Sequence, residues 1–166
     1  MTTHGRRESI GPNDVRPNLI GGAWVEGTGV NENVNPSDTT DVVGRYTLAD
    51  AVQAHEAFTA ARAAAPGWAD SSPLLRFEIL DNAGSEILRR KDELGDLLAR
   101  EEGKTLPEAV GEVVRAAHIL KFHAGQALRP AGQMLDSIRP GVEVAVTREP
   151  VGVVGIITPW NFPIAI

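Results

Sequence analysis

The sequence predicts an α/β protein whose sheet is unfinished, and three observations carry that expectation. Residues 47–128 hold four segments with helical periodicity. Val142–Thr147 then switches to a period of two. After it, Val151-Gly152-Val153-Val154-Gly155-Ile156-Ile157 is apolar apart from its glycines, the pattern of a short strand covered on both faces in a parallel sheet. Such a strand needs a neighbour on each side, and the sequence offers no second one.

Residues 1–17 are polar, lack aromatics and contain Gly5, Gly11 and Pro12, so they are expected to form a disordered tail. Leu19-Ile20 and Ala23-Trp24-Val25 flank Gly21-Gly22, which predicts two short strands around a glycine turn. Asn35-Pro36-Ser37-Asp38 is a second turn signal, and Val42-Val43-Gly44 returns as a strand. Thr47 and Asp50 have capping-box spacing ahead of a helix with Ala51, Ala54, Phe58, Ala61 and Ala65 on one face, stopped by Pro66-Gly67. Ser72-Pro73 supplies an N-cap and a first-turn proline for a second helix, with Leu74, Phe77, Leu80, Ile87 and Leu88 inward. Asp92 caps a third with Leu94, Leu97 and Leu98 apolar, and Gly103 closes it. Thr105-Leu106-Pro107-Glu108 is a capping box opening a long fourth helix that ends near Leu128 before Arg129-Pro130. Val110, Val113, Ala117, Leu120, Ala124 and Leu128 form its apolar stripe.

Composition bounds the function. The 166 residues carry a formal charge of −6, with 42% apolar and 23% charged residues, the balance of a globular chain with no overall attraction for nucleic acid. There is no cysteine, which removes disulfides, thiolate metal sites and any thiol nucleophile from this chain. No apolar stretch reaches membrane-spanning length, and Arg6-Arg7 is not followed by a signal-peptide core. A cytoplasmic protein without membrane or nucleic-acid partners is expected.

The loop Thr158-Pro159-Trp160-Asn161-Phe162-Pro163 is the best candidate for chemistry, because ligands in open α/β sheets sit beyond the carboxyl ends of the strands. On position and composition alone, the favoured reading is a proline-rich turn with Trp160 in the core and Asn161 bonded to its own backbone. The Val151–Gly155 glycines lie inside the predicted strand, so they are not a dinucleotide fingerprint. His118 and His123 are five apart, about 140° around a helix, and cannot share a metal from one face. His4 and His55 are isolated, and no metal site is expected. Glu101 and Glu102 before Gly103-Lys104 read as a helix terminus rather than an acid–base pair. Glu108 and Glu112 read as an exposed like-charged pair.

Several of these segments together resemble the N-terminal part of the NAD(P)-dependent aldehyde dehydrogenase superfamily. The matching residues are Leu19-Ile20-Gly21-Gly22-Ala23-Trp24, Asn35-Pro36, Glu102-Gly103-Lys104 with Glu108-Ala109, and above all Arg148-Glu149-Pro150 through Ile157-Thr158-Pro159-Trp160-Asn161-Phe162-Pro163. The likeness runs from about Asn18 to Ile166. Arg139-Pro140-Gly141-Val142-Glu143-Val144 and the closing Pro163-Ile164-Ala165-Ile166 look most like the branch that oxidises α-ketoglutaric semialdehyde.

The resemblance implies a Rossmann-like fold whose cofactor domain begins here. Residues 18–141 would supply its first strands and helices, 142–150 a strand of the oligomerisation arm, and 151–166 the first buried strand and active-site loop. It also implies that the Asn161 amide donates to the oxyanion formed when a cysteine thiolate attacks the aldehyde. Ile157, Thr158, Pro159 and Trp160 would line the nicotinamide–ribose region of bound NAD or NADP. The family's cysteine, its glutamate base, its ribose-binding lysine and its pyrophosphate-binding helix would lie beyond Ile166. The expectation is a fragment of an aldehyde-oxidising enzyme, inactive alone and homo-oligomeric at full length. The alternative is a truncated, non-catalytic protein that joins aldehyde dehydrogenase subunits through Val142–Thr147.

Overall fold

The computed structural model describes residues 14–166, which divide into two compact units. One contains residues 14–63 and 92–111, the other residues 64–91 and 112–166.

In the first unit the strands are β1 (Val15–Arg16), β2 (Asn18–Ile20), β3 (Ala23–Val25), β4 (Gly29–Val34) and β5 (Val42–Leu48). The predicted hairpin forms, with Asn18 opposite Val25 and Ile20 opposite Ala23. Gly21 at φ +59° and Gly22 at φ +81° give both central residues the left-handed backbone that a two-residue hairpin turn requires. The predicted strand at Val42 extends to Leu48 and is the centre of a three-stranded sheet ordered β1-β5-β4. β4 runs antiparallel to it from Gly29↔Leu48 to Val34↔Val42, slipping at Asn33/Val34, while β1 runs parallel with Val15 opposite Arg45. Val15 and Arg16 therefore belong to a sheet and not to a tail, because the free edge of β5 offers them a ladder. The rest of the expected tail, residues 1–13 with His4, lies outside the described residues.

Thr47 is not a helix cap. It is buried in β5, where its hydroxyl accepts from Gly27 N–H at 2.5 Å and donates to Gly29 O at 3.2 Å. The cap of α1 (Ala51–Ala69) is Asp50, whose Oδ1 accepts from Gln53 N–H at 2.9 Å. Helix α3 (Lys91–Glu102) ends as expected at Gly103, whose N–H bonds Ala99 O at 2.8 Å. Arg100 on α3 grips Asp41 in a fork, Nε to Oδ2 at 2.7 Å and Nη2 to Oδ1 at 2.5 Å, while Asn35 Nδ2 also reaches Oδ2 at 3.1 Å. The Arg100 hydrogen bonds, then that of Asn35, hold the Asp41 carboxyl down at about 2.

In the second unit, α1 continues through Pro66 to Ala69 instead of stopping there. Proline forfeits a single N–H near the end of the helix, and the last turn is still closed by Asp70 N–H to Pro66 O at 2.9 Å. The predicted inward face of α1 is not covered either: none of its residues is buried, and Phe58 (in the first unit's part) stays half exposed. Helix α2 (Pro73–Arg89) begins as predicted, Ser72 Oγ accepting from Leu75 N–H at 3.1 Å with Pro73 in the first turn.

Helix α4 (Leu106–Ala127) has 22 residues, about 33 Å at the standard rise. In this unit it buries Val113, Ala116, Ala117 and Ala124. Gly84 of α2 meets it so closely that a Cβ there would lie 2.9 Å from the Ala117 carbonyl oxygen. Lys121 crosses the same contact, its Nζ 2.8 Å from both Asp81 Oδ1 and Ser85 Oγ.

β6 (Gly132–Asp136) and β7 (Glu143–Thr147) form an antiparallel hairpin with Leu135 opposite Val144, exposed on both faces. Its second strand was expected from the alternation and its first was not. The fold class is α/β as predicted, with one clear departure. Val151–Ile157 is not a buried strand: the segment joins no ladder, and Val151 and Ile157 are 92% and 99% exposed. A strand exists through its partners, and no described segment pairs with this one. Gly152, at φ +100°, also departs from the extended pleat.

Candidate active site

Residues 151–159 run without regular structure, and residues 160–165 form a series of turns. Ile157, Thr158, Trp160 and Asn161 are exposed and Pro159 is half-buried. Trp160 is 89% exposed, so in this chain the turns at 160–165 are not built around a core tryptophan. The five candidate residues are contiguous in the chain and lie on one open segment, and none of them lines either of two surface cavities. The larger cavity, about 690 Å³, is lined by Arg76, Arg129, Arg148 and neighbours of the β6–β7 hairpin, and the other, about 660 Å³, lies over β4 and Tyr46.

The far end of the loop is held firmly. Glu112 on α4 is only 3% exposed, and its Oε1 accepts from Ile164 N–H at 3.1 Å and from Ala165 N–H at 3.3 Å. Ala165 is itself buried. This corrects the expectation of an exposed Glu108/Glu112 pair. The signal lay in the alanines: Ala109, Val113, Ala116 and Ala117 form a buried stripe at i, i+4, i+7 and i+8 spacing, and Glu112 falls inside it. The expected stripe starts at Val110 and omits Ala109 and Ala116, the buried residues one turn before and one turn after Glu112.

Glu108 behaves as a cap should. Its Oε2 accepts from Thr105 Oγ1 at 2.6 Å and from Thr105 N–H at 3.4 Å, and these two bonds lower its carboxyl below the ordinary range. Glu102 is more buried than a helix-end residue in open solvent, with Lys104 Nζ 2.6 Å from its Oε2 and only 9% of its side chain exposed. That approach is ionic, for neither carboxylate oxygen meets hydrogen-bond geometry. The carboxylate is committed to the lysine. His55, His118 and His123 are exposed, and the Phe122 and His123 rings meet edge-on at 5.4 Å. Among the described residues no three acidic or histidine side chains converge in a metal-binding group, and no helix is long and apolar enough to cross a membrane.

The aldehyde dehydrogenase family profile matches residues 24–166. The α-ketoglutaric semialdehyde dehydrogenase of Bacillus subtilis is 38% identical over 151 residues, covering 90% of this chain and 31% of that protein. The α-ketoglutarate semialdehyde dehydrogenase of Haloferax volcanii is 39% identical over 155 residues, covering 92% and 32%. Among solved structures, an NAD-dependent aldehyde dehydrogenase from Sinorhizobium meliloti superposes with a TM-score of 0.84 at 34% identity, over 94% of this chain and 33% of the other. The chain thus spans about a third of the length of the proteins it matches. A match this broad, reaching from β3 through the candidate loop to Ile166, establishes that the chain belongs to the aldehyde dehydrogenase family.

Proposed function

We propose that these residues are the N-terminal part of a cytoplasmic, homo-oligomeric oxidoreductase that converts a small aldehyde to its carboxylate with NAD or NADP. The observation that carries this reading is the family match, which includes the whole of residues 157–163. The two semialdehyde dehydrogenases at 38% and 39% identity point the substrate towards a carboxylate-bearing aldehyde such as α-ketoglutaric semialdehyde. The nucleophile is a thiolate from outside this chain, which has no cysteine.

Within that reaction the chain's own residues bind and polarise. Ile157 and Trp160 present uncovered apolar surface and Thr158 lies exposed between them, which suits one wall of a nicotinamide–ribose site. Pro159 restricts the path of the segment that joins them. The bound cofactor would supply the hydride acceptor. Asn161 donates its side-chain N–H to the carbonyl oxygen as that oxygen gains negative charge under thiolate attack. A donor fixed in advance stabilises this charge more than the neutral carbonyl, which lowers the barrier.

The test is Asn161→Ala in an enzyme-length chain carrying these 166 residues. Losing one such donor costs on the order of 10²–10³ in kcat, about 2.7–4 kcal/mol. The KM for NAD(P) should change little, and Asn161→Asp should be at least as damaging because it sets a negative charge against the oxyanion. A kcat within about threefold of wild type, with chemistry rate-limiting, would defeat the assignment. The alternative, a non-catalytic chain that joins enzyme subunits, draws support from the β6–β7 hairpin, exposed on both faces. Coding sequence continuing past Ile166 into a cysteine-bearing domain would remove it.

A further inference from the structure

We propose that Glu112 is the positioning residue of the candidate active-site loop, holding Asn161 in place by tying down the two amides that follow it at Ile164 and Ala165. This rests on the reading of Asn161 as oxyanion donor. Three observations lead to it. The first is chemical: Glu112 sits on the buried stripe of α4 at 3% exposure, between Ala109, Val113 and Ala116. A carboxylate in that setting is unfavourable unless its oxygens are satisfied, and an apolar side chain would fill the space without the penalty. Its presence is accounted for by what it holds.

The second is the identity of the partners. Ile164 N–H and Ala165 N–H are consecutive main-chain donors at the end of a run of turns, more than fifty residues from Glu112 in sequence. One carboxylate oxygen gathers both, fixing the direction of the backbone as well as its position. The third is reach. Asn161 precedes Ile164 by three residues, so even a fully extended chain leaves it within about 10 Å of the anchored amide. Val151–Pro159, on the other side of Asn161, joins no sheet ladder. The tether at 164–165 therefore limits how far the Asn161 main chain can move, and a donor that slips by about 1 Å can forfeit on the order of 10² in rate. Glu112 acts through the loop and does not touch the reacting atoms.

The test compares three variants of an enzyme-length chain carrying these residues: Glu112→Gln, which keeps an acceptor oxygen, Glu112→Ala, and Glu112→Leu, which fills the volume without an acceptor. Should the alanine variant fail to fold, the leucine variant answers in its place. The expected result is that the Ile164 and Ala165 amides lose hydrogen-exchange protection in the variant without an acceptor and keep it in Glu112→Gln. In parallel, kcat falls about 10²-fold with the KM for NAD(P) little changed, and Glu112→Gln recovers most of it. The loss should largely disappear in an Asn161→Ala background, since a residue acting through another adds little once that other is gone. Amides that stay protected without the carboxylate would overturn the proposal, and so would a loss of kcat that adds in full to that of Asn161→Ala. If Asn161→Ala alone leaves kcat intact, the oxyanion reading is what fails, and the exchange data decide separately whether Glu112 tethers the loop.

Discussion

Titrating the isolated 166-residue chain with urea should give no cooperative unfolding transition. The magnitude follows from what the second unit buries. Its buried apolar residues are Val113, Ala116, Ala117, Ala124 and Ala165, four of the five being alanine. In the same unit Phe122, Ile138, Val151, Ile156, Ile157 and Trp160 are between 62% and 102% exposed. Burying a side chain of that size contributes about 1.5–3 kcal/mol, so these six alone represent roughly 9–18 kcal/mol of unused burial. That is as large as the whole net stability of an ordinary domain, about 5–15 kcal/mol. Individual helices with good caps should persist and melt gradually. A two-state protein has a urea slope of about 1–3 kcal/mol per molar; the apparent slope here should be smaller. Circular dichroism and tryptophan fluorescence should disagree, since Trp24, Trp68 and Trp160 are all about half exposed or more and their emission has little distance to move. Uncovered strand edges should also make the curve depend on protein concentration. A single transition, coincident by both probes in a monodisperse monomer and with a slope in the two-state range, would refute this reasoning.

The purified chain should show no NAD(P)-linked aldehyde oxidation above a buffer blank, because no side chain in it can replace the thiolate; turnover that survives repurification would contradict this. The Asp41 carboxyl should titrate near 2 by NMR and rise towards the ordinary aspartate range in Arg100→Gln, with the Asn35 hydrogen bond still holding it partly down. Its folded value lies below the unfolded one, so its contribution to stability is present above the unfolded value and is lost as pH falls through about 2. Gly84→Ala should lower the thermal midpoint of the enzyme-length chain, although alanine is the better helix former, because the added Cβ would stand 2.9 Å from the Ala117 carbonyl oxygen. A raised midpoint would mean that α2 and α4 can part without penalty.

What was legible in the sequence was local. Ser72-Pro73, Thr105 with Glu108, Gly103 and Gly21-Gly22 each satisfy backbone groups within a few residues, and all four mark the ends and turns that the structure shows. The failures share a cause. β4 reads Gly-Val-Asn-Glu-Asn-Val and β1 only Val-Arg, and neither has strand character of its own; both are strands because β5 has edges. Val151–Ile157 is the converse, strongly β-forming in composition and yet unpaired. The candidate loop is singled out by its residue types and by the resemblance that Arg148–Pro163 carries, while the buried strand expected before it does not form. Glu112 was missed because its partners lie more than fifty positions away and its own neighbours in sequence suggested a wet helix face.

The expected inactivity of the chain has two independent physical causes. One is chemical, the missing thiolate. The other is mechanical: an oxyanion donor accelerates a reaction only if it does not have to be organised while the charge develops. Asn161 is restrained on its carboxyl side by Glu112, whereas the ladder that would restrain Val151–Ile157 on its amino side is absent among the described residues. The segment that leads into the proposed donor thus lacks the ladder that would fix its path before the charge develops. Supplying a small thiol in solution would address the first cause and leave the second untouched. On the proposed reading of Asn161, pairing of Val151–Ile157 into a sheet would add a second hold on the loop to the one that Glu112 provides at Ile164 and Ala165.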